Sequence, residues 1–238
     1  MAATLDVGGI VVDVVRKDIK NVHLSVYPPT GRVRIAAPQR MSLDTIRLFA
    51  ISKLGWIRQQ QRTLHKQERE PEREYLDRES HYLWGKRLLL KVVEADAASE
   101  VRVQHGTLVL RVRPGADVPT RESVLAAWYR QLLRSEAALL IEAWEPRLSV
   151  SVSSLFVQQM KTKWGGCNPS ARTIRLNTEL AKKPRECLEY IVVHEMAHLL
   201  EPTHGPRFVA IMDRVLPGWR ETRELLNRLP ASHQRWSY

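Results

Sequence analysis

The run His194-Glu195-Met196-Ala197-His198, with His204 six residues on, constrains this chain more than any other feature. On a helix, residues four apart share a face and are displaced along the axis by about 6 Å, so the imidazoles of His194 and His198 can converge on one cation. Glu195, about 100° around the same helix, then reaches water beside that cation. Three imidazoles with a carboxylate between the first two make the ligand set of a catalytic zinc site, which keeps its fourth position open. With eight His and 26 acidic residues in 238, chance supplies about 0.03 such matches, and His204 lowers that to ~0.001. A solvated helix carrying two histidines by accident is the weaker account. Three imidazoles suit several divalent metals, so nickel stands as an alternative to zinc.

The flanks of the motif predict a buried helix. Glu186-Cys187-Leu188-Glu189-Tyr190-Ile191-Val192-Val193 and Leu199-Leu200 leave it apolar on most of its circumference, unlike a surface helix. Pro184 suits the first turn, Glu186 and Glu189 lie near the positive end of the dipole, and Pro202 stops the helix so that His204 can return. Imidazoles buried in such a helix need a compensating partner, which a cation supplies. The His spacings of four and six are those of metzincin proteases, although the glycine of their turn is here Glu201.

The chain is long enough for two domains with real cores. No apolar run reaches about 18 residues and Met1 to Gly9 is short and mixed, so neither a membrane span nor a secretion signal is expected. Two cysteines, Cys167 and Cys187, make no disulfide framework, and a cytoplasmic protein with reduced thiols is the expectation. The net charge of +11 makes anionic partners plausible, including non-specific nucleic acid on a basic surface.

Along the chain, residues 10–37 alternate through Ile10, Val12, Val14, His23 to Tyr27, a Pro28-Pro29-Thr30-Gly31 turn and Arg32 to Ala36, predicting a β-hairpin. Ser42 can cap one helix through Ile46, Phe49, Lys53, Trp56 and Ile57, which runs into the polar tract Gln59 to Arg73. A second β pair spans His81 to Val93 and Val101 to Val112, and Pro114-Gly115 then punctuates the chain. Val124, Leu125, Trp128, Leu132, Leu133, Leu139, Leu140 and Trp144 recur at helical spacing, with both tryptophans read as core. Next come a strand over Val150 to Gln159, the loop Lys161 to Asn168, a strand over Thr173 to Asn177 and the metal helix. No internal repeat is visible. The expected fold is α+β: a β-rich N-terminal domain with one helix over 1–116, then a zincin-like helix and sheet catalytic domain over 117–238.

Two motifs together, Trp164-Gly165-Gly166-Cys167 and His194-Glu195-x-x-His198 with His204-Gly205-Pro206-Arg207-Phe208, resemble the YgjP-like family of bacterial metal-dependent hydrolases, relatives of SprT-like and other minimal zinc peptidases. Gly55-Trp56-Ile57 and Leu83-Trp84-Gly85-Lys86 extend the resemblance into the N-terminal half. It implies a zincin-type domain with His194, His198 and His204 as ligands and Glu195 as the catalytic carboxylate. The family loop is usually W-G-S-C, so Gly166 is a departure.

These readings point to a zinc-dependent hydrolase, first of all a metallopeptidase acting on peptides or proteins, with Glu195 as general base. Arg207 and Lys163 are candidate hydrogen-bond donors to the oxyanion. A nucleoside triphosphate phosphohydrolase is the second reading, motivated by Lys161, Lys163, Arg172 and Arg175 around the pocket strands. The third, a nucleic-acid-binding module with a structural zinc, fits less well, because structural sites are closed and Cys-rich. Cys167 is read as a small buried hydrophobe rather than a ligand, and Cys187, two turns from His194, as too distant to bind the metal.

Overall fold

The computed structural model describes residues 3–27, 30–66, 73–160 and 163–229. The chain divides into two compact units, Met1–Arg69 and Glu70–Tyr238.

In the first unit, β1 (Ala3–Val7), β2 (Ile10–Lys17), β3 (His23–Tyr27) and β4 (Arg32–Pro38) form a sheet ordered β1-β2-β4-β3. β1 and β2 close a two-residue hairpin, Val7 opposite Ile10, over Gly8 and Gly9, both at positive φ, as a tight primed turn requires. The predicted alternation over 10–37 holds, but β2 runs parallel to β4, so the hairpin is β3 with β4. Pro28 and Pro29 of its turn lie outside the described residues. One face of the sheet carries Leu5, Val7, Val12, Val14, Val33, Ile35 and Ala37 onto Ile46, Ala50 and Ile57. The expected single helix is two, α1 (Leu43–Ser52) and α2 (Leu54–Lys66), broken at Lys53, whose N–H bonds back to the carbonyls of Ala50 and Ile51. Ser42 caps α1 as expected, its side chain accepting from Thr45 N. Most of the polar tract beyond Lys66, residues 67–72, lies outside the described residues.

The second unit opens with β5 (Ser80–Leu83), β6 (Lys86–Glu94), β7 (Glu100–Gln104) and β8 (Thr107–Val112), ordered β5-β6-β8-β7, followed by the long helix α3 (Val118–Leu148) capped by Asp117. Order, strand directions and the capped helix that follows repeat those of the first unit: β6 is parallel to β8 as β2 is to β4, and Asp117 accepts from Thr120 N as Ser42 does from Thr45 N. The absence of a repeat in the sequence reading is therefore corrected: the duplication lives in the hydrogen-bond pattern, which many side-chain sets satisfy.

The expected boundary at 116/117 does not coincide with the division into units. Leu88, Leu90, Leu108, Leu110 and Val112 share one core with Leu125, Leu133, Ile191 and Val193. The tight turn Trp84-Gly85 docks on the segment before the metal helix, with Trp84 N and Gly85 N donating to the carbonyls of Ala181 and Lys182. A Cβ on Gly85 would lie 2.9 Å from Pro184 Cγ. A β pair buried this way cannot belong to a separate N-terminal domain.

The remaining strands, β9 (Ser154–Gln158), β10 (Gly165–Asn168) and β11 (Thr173–Asn177), form a sheet ordered β10-β11-β9, with β11 parallel to β9 and antiparallel to β10. A 3-10 turn over Thr178–Lys182 leads into α4 (Arg185–Ala197), followed by α5 (Pro206–Val215) and α6 (Trp219–Arg228). Among the described residues no helix is long and apolar enough to cross a membrane.

Candidate metal centre

α4 positions the first two imidazoles. Cys187, Leu188, Tyr190, Ile191, Val192, Val193, Met196 and Ala197 are all buried, so the helix is held on most of its circumference, as its apolar sequence predicts. It ends at Ala197 with His198 as C-cap, and the chain turns to present His204 immediately before α5.

The three ligand atoms lie within 4.8 Å of one another. His204 Nε2 is 2.9 Å from His194 Nε2 and 3.2 Å from His198 Nε2. Tetrahedral zinc with bonds of about 2.0–2.1 Å needs nitrogen pairs about 3.3 Å apart, so the donors stand at nearly the required spacing. The chemistry of the set also fits a cation. His198 Nδ1–H donates to the Glu201 carbonyl at 3.0 Å, which leaves its Nε2 lone pair facing the other two rings. Burial, with the neighbouring His198, His204 and Arg223 charges, pushes His194 down to about 3, and His204 is lowered for similar reasons. Protons are thereby kept off nitrogens that a metal would use. Phe208, 1 % exposed, supports the cluster, its ring centroid 4.9, 4.7 and 4.8 Å from those of His194, His198 and His204.

Glu195 is 6 % exposed, and burial pushes its carboxyl up to about 7 against the opposing charge of Lys163. β10 passes directly over it. A Cβ on Gly165 would lie 2.6 Å from Glu195 Oε1 and 2.9 Å from Ile191 Cγ2, so glycine is needed here for space. Gly166 differs: a Cβ there meets nothing within 4 Å, so a serine would fit.

The other sequence candidates divide. Lys163 is exposed, on the segment leading into β10, and its charge reaches Glu195. Arg207 stands in the first turn of α5 with its side chain 87 % exposed and Nε 3.9 Å from Glu201 Oε2, a surface ion pair. Arg175 stacks on Phe156 at 5.4 Å, on the face of β11 opposite the buried Ile174 and Leu176 that join α4 in the core, so it is not brought to the histidines. Lys161 lies outside the described residues. Cys167 and Cys187 are free thiols, both pushed up to about 11 chiefly by burial, and neither joins the ligand cluster.

Three residues that sequence reasoning gave no site role complete the arrangement. Asn177, 5 % exposed, donates from Nδ2 to the carbonyls of Met160 and Lys163, both at 2.9 Å, and so ties the Lys163 loop to the end of β11. Glu201 orients His198 through its carbonyl, while its Oε1 accepts from Thr203 N and Oγ1, which organises the turn to His204. Phe208 carried a sequence signal, an apolar residue four positions after the third histidine.

A family model described as YgjP-like, metallopeptidase domain, matches residues 20–229. The metallopeptidase zymogen abylysin of Pyrococcus abyssi is 23 % identical, over 38 % of this chain and 90 % of that one, with a TM-score of 0.36. Jannalysin of Methanocaldococcus jannaschii, also a metallopeptidase zymogen, is 22 % identical over 38 % of this chain and 91 % of its own, with a TM-score of 0.34. No curated protein matches the sequence.

Proposed function

The chain belongs to the YgjP-like metallopeptidase family, metal-dependent hydrolases, and from that premise we propose that it hydrolyses peptide bonds with a divalent ion, zinc first, held by His194, His198 and His204. The observation that carries this reading is the convergence of three Nε2 atoms beside a buried carboxylate one residue from the first of them. An ion held there supplies Lewis acidity to a substrate carbonyl and to water.

Glu195 accepts the proton of the attacking water on its carboxylate and passes it to the leaving amine. Its surroundings keep bulk water away, which strengthens its interaction with the reacting groups. Lys163, exposed on the segment leading into β10, and Arg207, in the first turn of α5, are the candidate donors to the developing oxyanion. The triphosphate reading keeps the same ligands, but of the cations that motivate it Arg175 stacks on Phe156 on the other face of the sheet. The test is a screen of the metal-loaded protein against casein, peptide libraries and the four nucleoside triphosphates, with Glu195→Gln as control. Peptide cleavage abolished by Glu195→Gln while the metal is retained supports the proposal. Cleavage of triphosphates alone, or peptide cleavage that survives the substitution, overturns it.

A further inference from the structure

The first unit carries twelve Lys and Arg against five Asp and Glu, a net +7 of the chain's +11 in 69 of its 238 residues. Its helices also carry an apolar surface that its own core does not use. Ile46, Ala50 and Ile57 face the sheet, whereas Leu43, Leu48, Ile51 and Trp56 point away at 41, 68, 48 and 42 % exposure. Leu43, Arg47 and Ile51 follow one another at four-residue spacing, and Leu48 lies beside Ile51 at three, so the row is continuous along α1. Four large apolar side chains exposed within fourteen residues are not the scattered singles of an ordinary surface.

The duplication inside the molecule shows what such a helix can do. α3, the counterpart in the second unit, packs on β7 and β8 and also against α4 and the 3-10 turn before it. A capped helix on this sheet topology can thus hold a second, apolar helical surface. α1 and α2 pack on β1 and β3 within their unit and keep four apolar residues on the outside.

We propose that the outer face of α1 and α2 is a docking site for an acidic amphipathic segment of another protein. The charge around the row selects that occupant: residues 40–66 hold Arg40, Arg47, Lys53, Arg58, Arg62 and Lys66 against Asp44 alone. Among the described residues, none of Arg40, Arg47, Lys53 and Arg62 pairs with a carboxylate. An apolar stripe flanked by Glu and Asp would bury Leu43, Leu48, Ile51 and Trp56 while pairing those cations, with Trp56 and Arg47 as the strongest anchors. Nucleic acid matches the charge but leaves three aliphatic side chains without a partner, since bases stack on aromatic rings.

The test reads binding only, so its outcome is independent of turnover. Full-length metal-loaded protein is titrated into a fluorescein-labelled peptide of roughly 20 residues, with Leu at helical spacing flanked by Glu, and the peptide is checked for integrity by mass spectrometry. A charge-inverted Lys peptide and single-stranded DNA are run alongside. The expected result is salt-sensitive binding of the acidic peptide, weakened roughly tenfold or more by Leu48→Ser with Ile51→Ser, and separately by Arg47→Glu with Lys53→Glu. These side chains are exposed, so unchanged melting temperatures are expected and confirm the fold. Equal affinity of the Leu48→Ser/Ile51→Ser protein overturns the proposal, as does equal binding of the Lys peptide. It is likewise overturned by DNA binding that depends on the cations alone, or by self-association in light scattering that the same double substitution abolishes.

Discussion

Gly165 and Glu195 touch across the gap between β10 and α4 so closely that a single added carbon on the glycine would lie 2.6 Å from the Glu195 carboxylate oxygen. Strand and helix therefore meet at this position, and the backbone of the strand packs against the carboxylate of the residue that follows His194.

Gly165→Ala is expected to push that carboxylate aside without touching a ligand. The added methyl would also lie 2.8 Å from Glu195 Cγ and 2.9 Å from Ile191 Cγ2, so these side chains must shift to admit it. A catalytic group displaced by about 1 Å commonly loses on the order of 100-fold in rate. Steady-state assays should show kcat/KM falling by at least tenfold while elemental analysis finds the metal load unchanged, and an alanine protein of normal activity would disprove the role given to this contact. Gly166→Ser, into open space, should leave both readings as they are.

Removal of the metal should separate ligands from neighbours. About one tightly bound divalent ion per chain is expected, and His198→Ala should lose most of it, because His198 is the ring whose Nδ1 is tied to the Glu201 carbonyl and whose Nε2 faces His204 at 3.2 Å. Chelation should lower the melting temperature of the wild type and leave that of His198→Ala nearly unchanged, since binding to the folded state alone adds stability. Mass spectrometry of the native protein together with a thermal melt decides it, and a full metal load in the alanine protein rejects this ligand set.

How much of this was legible in the sequence depended on range. The motif helix, its apolar circumference and the Ser42 cap rest on spacings of three and four residues, and all stand in the structure. The break at Lys53 escaped, since Phe49, Trp56 and Ile57 read as one helical period across it. β1 escaped as well, although Leu5 and Val7 alternate with Thr4 and Asp6. What no local pattern holds is pairing between distant segments: β2 beside β4, the Trp84-Gly85 turn on Ala181 and Lys182, Asn177 on Met160 and Lys163. These contacts moved the boundary between units and supplied the supports of the site.

Asn177 offers a test of such a support. Its side chain amide donates to two carbonyls of the loop that carries Lys163, and Asn177→Ala would leave both without that donor at a cost of about 1–3 kcal/mol. If Lys163 is held for catalysis by this loop, kcat/KM should fall several-fold with metal content intact. Asn177→Asp keeps the oxygen that accepts from Met160 N and Glu179 N but sets a carboxylate oxygen against the two carbonyls, so it should also lower kcat/KM. Unaltered kinetics in both, with a lowered melting temperature, would make Asn177 a purely structural residue.

His81 sets the expected response to acid. It is 2 % exposed on β5, and burial first, then the charges of Arg73 and Lys182, push it down to about 3 from an ordinary value of 6.5. Glu79 Oε1 stands 3.1 Å from its Nε2, but that carboxylate already accepts from Arg73 and from the backbone N–H of Glu74 and Tyr75. The folded protein thus holds His81 neutral while the unfolded chain takes up a proton below pH 6.5, so this contribution to stability is complete above 6.5 and is lost progressively as pH falls towards 3. Between pH 7 and 4.5 the loss should amount to about 1–3 kcal/mol. In urea melts of the metal-free protein His194 and His204 add an acid slope of the same sign to both proteins, so the wild type should be steeper than His81→Gln by this amount. Parallel slopes in the two proteins would mean that His81 is already charged in the fold, paired with Glu79.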